Sequence, residues 1–239
     1  MKLQKIFDRI FYYPYESVTD RPALIYILGD KFSLVVDSGN SKKHVDEFYK
    51  EIIDNDLKLP DFTLMTHWHW DHTFGMKYVN GVTFALDETN KYLKKARNNF
   101  ENPEFIERVR RENEYFRMEY DDEMIFDIVE SDISFDDRVT INLGGISVYA
   151  EKIVNPHTDD HLLIHIPNYK LLILGDSTGE DSFNFGFGKF FMDGLMNKDL
   201  LKSLYDAIDA IDCDICILSH VDMISKEELL NEMRVLLEN

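Results

Sequence analysis

Cysteine is nearly absent from this chain, with only Cys213 and Cys216 among 239 residues, so no disulfide framework can organise the fold. The two form a C-x-x-C, which reads either as a redox pair or half a zinc knuckle, or as two small apolar fillers. The second reading is favoured: Asp212 to Leu218 resembles a buried strand, in which positions three apart face opposite ways. Long apolar runs are missing too. No stretch reaches 18 apolar residues, which excludes a membrane-spanning helix. Basic residues are scarce, 26 Lys and Arg against 45 Asp and Glu, for a net charge of -19. Nucleic-acid backbones and anionic membranes are therefore poor partners, because both are bound through clustered Lys and Arg. There is no internal repeat, low-complexity tract or Pro/Gly/Ser linker, and the expectation is one domain over residues 1–239. The N-terminal segment becomes charged again at Lys5, Asp8 and Arg9 before an apolar signal core could form, so a cytoplasmic location is expected.

What the chain does contain is a dense group of metal-ligating residues. Thr66-His67-Trp68-His69-Trp70-Asp71-His72 follows an apolar, strand-like run, Phe62 to Met65. In extended backbone His67 and His69 project to one side. Asp71 and His72 are adjacent, and if a helix starts here they diverge by about 100° around its axis. The spacing predicts two neighbouring metal sites, with imidazole and carboxylate donors suited to zinc, iron or manganese. An accidental cluster of loop histidines would not need this spacing.

Three further donors stand at the ends of apolar runs: His157 after Val148 to Val154, Asp176 closing Leu171 to Gly175, and His220 closing Ile215 to Ser219. With an early Asp in Val35-Val36-Asp37-Ser38-Gly39, the HxHxDH cluster and these three, the sequence resembles the metallo-β-lactamase-fold hydrolases over about Ile6 to His220. The resemblance implies an α/β fold, a four-layered αβ/βα sandwich of two mixed sheets flanked by helices. It implies His67, His69 and His157 on one metal, Asp71, His72 and His220 on a second, and Asp176 bridging both. Asp37 would orient a ligating imidazole. The implied cofactors are two divalent metal ions, zinc first, with iron or manganese as alternatives. The implied reaction is hydrolysis of a small ester, thioester or lactone by a metal-bridging hydroxide, with Asp71 accepting a proton or orienting the hydroxide.

The ligand set, unbroken, is closer to the lactonase and glyoxalase II-like branches than to the antibiotic-degrading ones, which usually replace one ligand. Hydroxyacylglutathione hydrolases add a helical domain that is missing after His220, which points away from glutathione thioesters. Alternatives are a phosphodiesterase or nuclease of the same fold, and an iron enzyme handling oxygen or persulfide.

Apolar periodicity predicts strands at Ile6 to Tyr13, Ala23 to Leu28, Phe32 to Val36, Phe62 to Met65, Val82 to Leu86, Ile133 to Ile141, Ile146 to Val154, Leu162 to Ile166, Leu171 to Leu174 and before His220. Gly29-Asp30 predicts a hairpin turn. Helices are expected near Lys42 to Ile53, after the cluster, over Glu88 to Asp121, at Lys198 to Ala210 and from Ser225. Residues 88–137 read as a helical insertion covering the metals. Five of the nine arginines lie there; they would clamp an anionic substrate or, as favoured, pair along a solvated face as Glu104–Arg108 and Glu107–Arg111, over a buried stripe of Ile106, Val109, Phe116 and Tyr120. A second lid candidate, residues 181–191, carries five phenylalanines that would line an apolar pocket or pack a partner subunit in a homo-oligomer. Trp68 and Trp70 are expected to wedge the metal loop; His44, His161 and His165 have no role in the resemblance, a contact of His161 with a ligand or the substrate beside His157 being the less favoured reading. The expected partner is a small molecule, with no nucleic acid and no membrane.

Overall fold

The computed structural model describes residues 1–179 and 197–238. The phenylalanine-rich segment 181–191 lies outside them.

The first sheet runs β1 (Gln4–Lys5), β2 (Ile10–Tyr13), β3 (Leu24–Leu28), β4 (Ser33–Val36), β5 (Phe62–Leu64), β6 (Val82–Leu86) and β7 (Ile133–Phe135), in that spatial order. Neighbours pair antiparallel from β1 to β4 and parallel from β4 to β7. The second sheet is ordered β13 (Ile224–Ser225), β12 (Ile215–Leu218), β11 (Leu171–Gly175), β10 (Leu162–Ile166), β9 (Ser147–Lys152) and β8 (Arg138–Asn142). Only β11 and β12 pair in parallel there. Both sheets are mixed, as expected.

The sheets face one another across an apolar core drawn from alternate strand positions, which share a face in extended backbone. Ile25, Ile27, Leu34 and Val36 come from one side and Val148, Ala150, Ile164 and Ile173 from the other. The intervening positions Phe11, Tyr13, Tyr26 and Val35 turn outward against α1 (Lys42–Asp54). Ser41 caps that helix by accepting from the His44 backbone N–H at 3.1 Å, and Val45, Phe48 and Ile52 form its buried stripe. On the far side, α6 (Lys198–Ala210) and α7 (Lys226–Glu238) cover the second sheet with Leu201, Leu204, Ile208, Leu230 and Met233. This gives helix, sheet, sheet, helix, the four layers implied by the resemblance. Among the described residues no helix is long and apolar enough to cross a membrane.

Three expectations are corrected. Ile133 to Ile141 is not one strand: β7 and β8 belong to opposite sheets, so the chain changes layer at Asp136-Asp137. Cys213 and Cys216 do not face opposite ways. Cys213 precedes β12, both are buried in the same apolar cluster, and the neighbouring Cys213 thiol together with burial raises the Cys216 pKa. Along the charged helices the ion pairs are Arg110–Glu107 at 2.8 Å and Arg108–Glu112 at 3.9 Å, displacing the expected pairing.

The segment after β6 forms α3 (Asp87–Phe100), α4 (Pro103–Glu112) and α5 (Glu114–Glu119). Asn102 and Asn113 cap the last two. Their buried stripe is the expected Ile106, Val109, Phe116 and Tyr120. It packs on the metal loop itself: Trp70, fully buried, meets Phe116 and Tyr120 with ring centroids 5.1 and 6.2 Å away, and Trp68 stacks on Tyr92 at 5.4 Å. Trp70→Ala is expected to destabilise the protein by about 3–5 kcal/mol, the usual result of emptying a large aromatic site. Denaturant unfolding of parent and variant measures it.

Candidate metal centre

The ligand-bearing residues sit where strands of both sheets end. β5 runs into Thr66, and the backbone turns into α2 (Trp70–Thr73) with His69 as its cap residue, so the helix expected after the cluster begins within it and the condition under which Asp71 and His72 diverge holds. The Leu162 N–H donates to the Thr66 carbonyl at 2.9 Å, and the Ala23 N–H to the Ser219 carbonyl at 2.8 Å. These two bonds tie the sheets together beside the site.

All seven expected residues converge in two groups. In the first, His67, His69 and His157 turn ring nitrogens toward one point, with His157 Nε2 3.2 Å from His67 Nε2 and 2.9 Å from His69 Nδ1. In the second, Asp71, His72, Asp176 and His220 meet. His72 Nε2 is 3.0 Å from Asp71 Oδ2 and 3.2 Å from Asp176 Oδ2, and His220 Nε2 is 3.0 and 3.4 Å from the same two oxygens. Asp176 Oδ2 also lies 3.7 Å from His157 Nε2, which puts this carboxylate between the groups.

This arrangement needs positive charge between its atoms. One proton on His157 Nε2 cannot serve two nitrogens at once, whereas a cation accepts all three lone pairs. Tetrahedral Zn–N bonds of about 2.0–2.1 Å would set such nitrogens about 3.3 Å apart, close to the observed spacing. In the second group, burial alone would lower the pKa of His72, but Asp71, Asp176 and Asp37 outweigh it and raise it well above the usual value. His220 is raised in the same way by Asp176 and Asp71. Burial would conversely raise Asp71 and Asp176, yet the neighbouring imidazoles hold both below the carboxylate range. His67, among other imidazoles and fully buried, is held neutral. The donor set therefore fits divalent cations.

A single carboxylate orients ligands in both groups. Asp37, in left-handed backbone at φ 63°, accepts His72 Nδ1–H at 2.8 Å and the Thr66 N–H at 2.7 Å. It also accepts the Thr66 hydroxyl at 2.9–3.0 Å, and that oxygen in turn stands 3.0 Å from His67 Nδ1. Each Nδ1 proton is thereby engaged and each Nε2 left to face its group. Asn155 steadies the third histidine: its side-chain oxygen accepts the His157 and Thr158 N–H groups at 2.8 and 3.2 Å.

His161 has a definite place. Its ring stacks on His67 at 4.8 Å, its Nδ1 donates to the Leu162 carbonyl at 3.0 Å, and its Nε2 accepts the Asp176 N–H at 3.2 Å. Burial lowers its pKa to about 3, consistent with an uncharged ring that accepts at Nε2. Gly175, at φ 54°, makes room for it, since a Cβ there would meet His161 Cε1 at 2.7 Å. His44 is buried behind Gly39 and His165 reaches the Asp212 carbonyl at 3.1 Å, both away from the centre.

Above the two groups lies a cavity of about 290 Å³, lined by His69, Asp71, His157, Asp176 and His220 together with Leu218, Val221, Thr178 and Gly179. No described lining residue comes from 88–137. The apolar stripe of the insertion packs on Trp68 and Trp70 of the metal loop. One lining residue had no signature in the sequence: Asp20, from the loop between β2 and β3. Burial and the nearby Asp71 carboxylate push its pKa up to about 7, against the pull of His220.

Gly175→Ala is expected to cost on the order of 2 kcal/mol or more, from left-handed strain and the clash with His161. Adding His161→Ala should return the part owed to the clash. Equal losses in the presence and absence of the His161 ring, in a double-mutant cycle, would show that the ring contact contributes nothing.

Comparison with known proteins follows the same lines. No curated protein sequence matches the chain. Among solved structures, DIM-1 metallo-β-lactamase is similar at 20% identity with a TM-score of 0.69, covering 99% of this chain and 96% of that one. A metallo-β-lactamase from Pontibacter korlensis is similar at 16% identity with a TM-score of 0.68, over 100% and 99% of the two chains. A double mutant of the sec-alkyl sulfatase PisA1 is similar at 10% identity with a TM-score of 0.76, over 99% of this chain but 41% of that one. The sequence profile of the metallo-beta-lactamase superfamily matches residues 18–220, the span that carries Asp20, Asp37 and all seven converging residues, and this chain belongs to that superfamily.

Proposed function

We propose that the protein is a binuclear metal-dependent hydrolase acting on a small ester, thioester or lactone. The observation that carries the reading is the pair of adjoining donor groups, three imidazoles in one and two imidazoles with two carboxylates in the other, with Asp176 between them. His67, His69 and His157 would hold one divalent cation, Asp71, His72 and His220 the other, and Asp176 both, with zinc preferred by the imidazole-rich set. Two such cations supply a lowered water pKa and polarisation of the scissile oxygen.

The protein's own residues supply the rest. Asp37 and Thr66 keep His72 and His67 in the tautomers that face inward. Asp71, on the cavity wall, is placed to orient the attacking water or to accept its proton. Thr178, Leu218 and Val221 offer a mixed polar and apolar wall to the substrate. The described lining contains no Lys or Arg and the chain carries a net charge of -19, which together favour a small uncharged substrate over a polyanion. A phosphodiester substrate would meet no Lys or Arg among the described lining residues.

Metal-free protein titrated with zinc or manganese should take up two equivalents per chain, and exhaustive chelation should abolish turnover reversibly. Uptake of fewer than two equivalents at saturation sinks the two-metal reading. Asp176→Ala should lose one equivalent and cut kcat/KM by at least a hundredfold while keeping the parent far-ultraviolet circular dichroism. In a panel of esters, thioesters, lactones and phosphodiesters, turnover is expected in the first three; cleavage of RNA or DNA with no acyl substrate turned over would replace the acyl reading by a phosphodiesterase.

A further inference from the structure

The loop between β2 and β3 brings one acidic side chain to a histidine 200 positions away in sequence. Asp20 Oδ1 lies 3.5 Å from His220 Nδ1, on the side of the ring opposite to the nitrogen that faces Asp71 and Asp176. Nδ1 of His220 has no other hydrogen-bonding or charged neighbour among the described residues. Its counterpart His72 has its Nδ1 held by Asp37, and His67 has its own held by Thr66.

Asp20 is held at that point. Its backbone is left-handed at φ 55°, a conformation Asp accepts at some cost and that persists only where the surroundings dictate it. Glu16 and Arg21 exchange backbone hydrogen bonds at 2.9 Å, Asn40 Nδ2 donates to the Thr19 carbonyl at 2.9 Å, and Ala23 is bonded to Ser219, the residue before His220. The Arg21 side chain is buried and grips two helices. It meets Glu47 of α1 at 2.9 Å and Glu119 of α5 with three contacts of 3.0–3.3 Å. The Glu119 carboxylate is 1% exposed and is capped by the Ser41 hydroxyl. A solvated surface acid would need none of these ties.

We propose that Asp20 is a positioning residue for His220: by accepting the Nδ1 proton it turns Nε2 toward the second metal position, the role Asp37 performs for His72. The inference rests on the two-metal reading. Through Arg21 and Glu119 the helical insertion is also tied to the loop that carries Asp20. Orienting partners of metal-bound imidazoles are worth about 10–100-fold in metal affinity, and that is the size of effect expected here.

The test is zinc titration of metal-free protein against a chromophoric chelator, with the thermal midpoint of the metal-free form recorded alongside. Parent protein should bind two equivalents. Asp20→Ala should weaken one of them by about tenfold or more and leave the other unchanged. Asp20→Asn, whose amide oxygen still accepts the Nδ1 proton, should recover affinity to within a few-fold of the parent. Where Asp20→Ala proves unstable, Asp20→Gly, which suits the left-handed backbone, should weaken the same equivalent. Parent-like affinity in both truncated variants, equal weakening of both equivalents, or an Asn variant as weak as Ala would each overturn the proposal. If the parent itself binds fewer than two equivalents, the two-metal reading fails first, so the two failures are distinguishable.

Discussion

The Asp37 carboxylate is the constraint on which the centre depends. It sits at the end of β4 in a left-handed conformation and takes hydrogen bonds from the Thr66 backbone, the Thr66 hydroxyl and His72. A buried carboxylate with several donors is stable only while each stays in place. Through Thr66 it reaches His67 of one donor group, and directly it reaches His72 of the other. The two groups therefore share one reference point, and the register of β4 against β5 fixes both.

The rest of the scaffold holds that reference point rigid. Parallel pairing of β4 with β5 carries Asp37 and Thr66 to the same edge. Bonds from Leu162 to Thr66 and from Ala23 to Ser219 bring the second sheet, with His157, Asp176 and His220, against that edge. From behind, Trp70 is closed in by Phe116 and Tyr120 of the helical insertion. Close-packed aromatic surroundings resist displacement, so the loop holding four ligand candidates is clamped on its apolar side while His69 and Asp71 line the cavity.

Electrostatics explains why such a site is tolerable. Carboxylates and imidazoles gathered in a low-dielectric pocket repel or strand one another unless a counter-charge is present. The opposed shifts of the histidines and aspartates in the second group express that demand. His161, by contrast, is kept neutral and apolar in behaviour, stacked on His67 and bonded to the Asp176 backbone.

Much of this was legible in the chain itself. The strands before His67, Asp176 and His220 are continuous apolar runs because both faces of a central strand are buried, and ligand types at their ends need no tertiary information to be noticed. Helices with a cap and a regular stripe, such as Lys42–Asp54 and Lys198–Ala210, were equally plain. Other features depend on contacts between distant segments. Ile133 to Ile141 carries a period-two pattern interrupted only at Asp137, and it divides between two sheets, since alternation marks a strand but not which neighbour it joins. Cys213 and Cys216 share one pocket because the first lies outside the strand that was assumed to hold both. The stripe of the helical insertion was legible as buried but its partners Trp68 and Trp70 were not, because amphipathicity specifies that a stripe is buried but not against what. Asp20 shows the limit most plainly: an isolated aspartate in a loop carries no local signal, and only the packing that carries Ala23 to Ser219 brings it to His220. Residue chemistry and spacing are local properties that the sequence determines alone, while partner choice between remote segments is decided by the folded core.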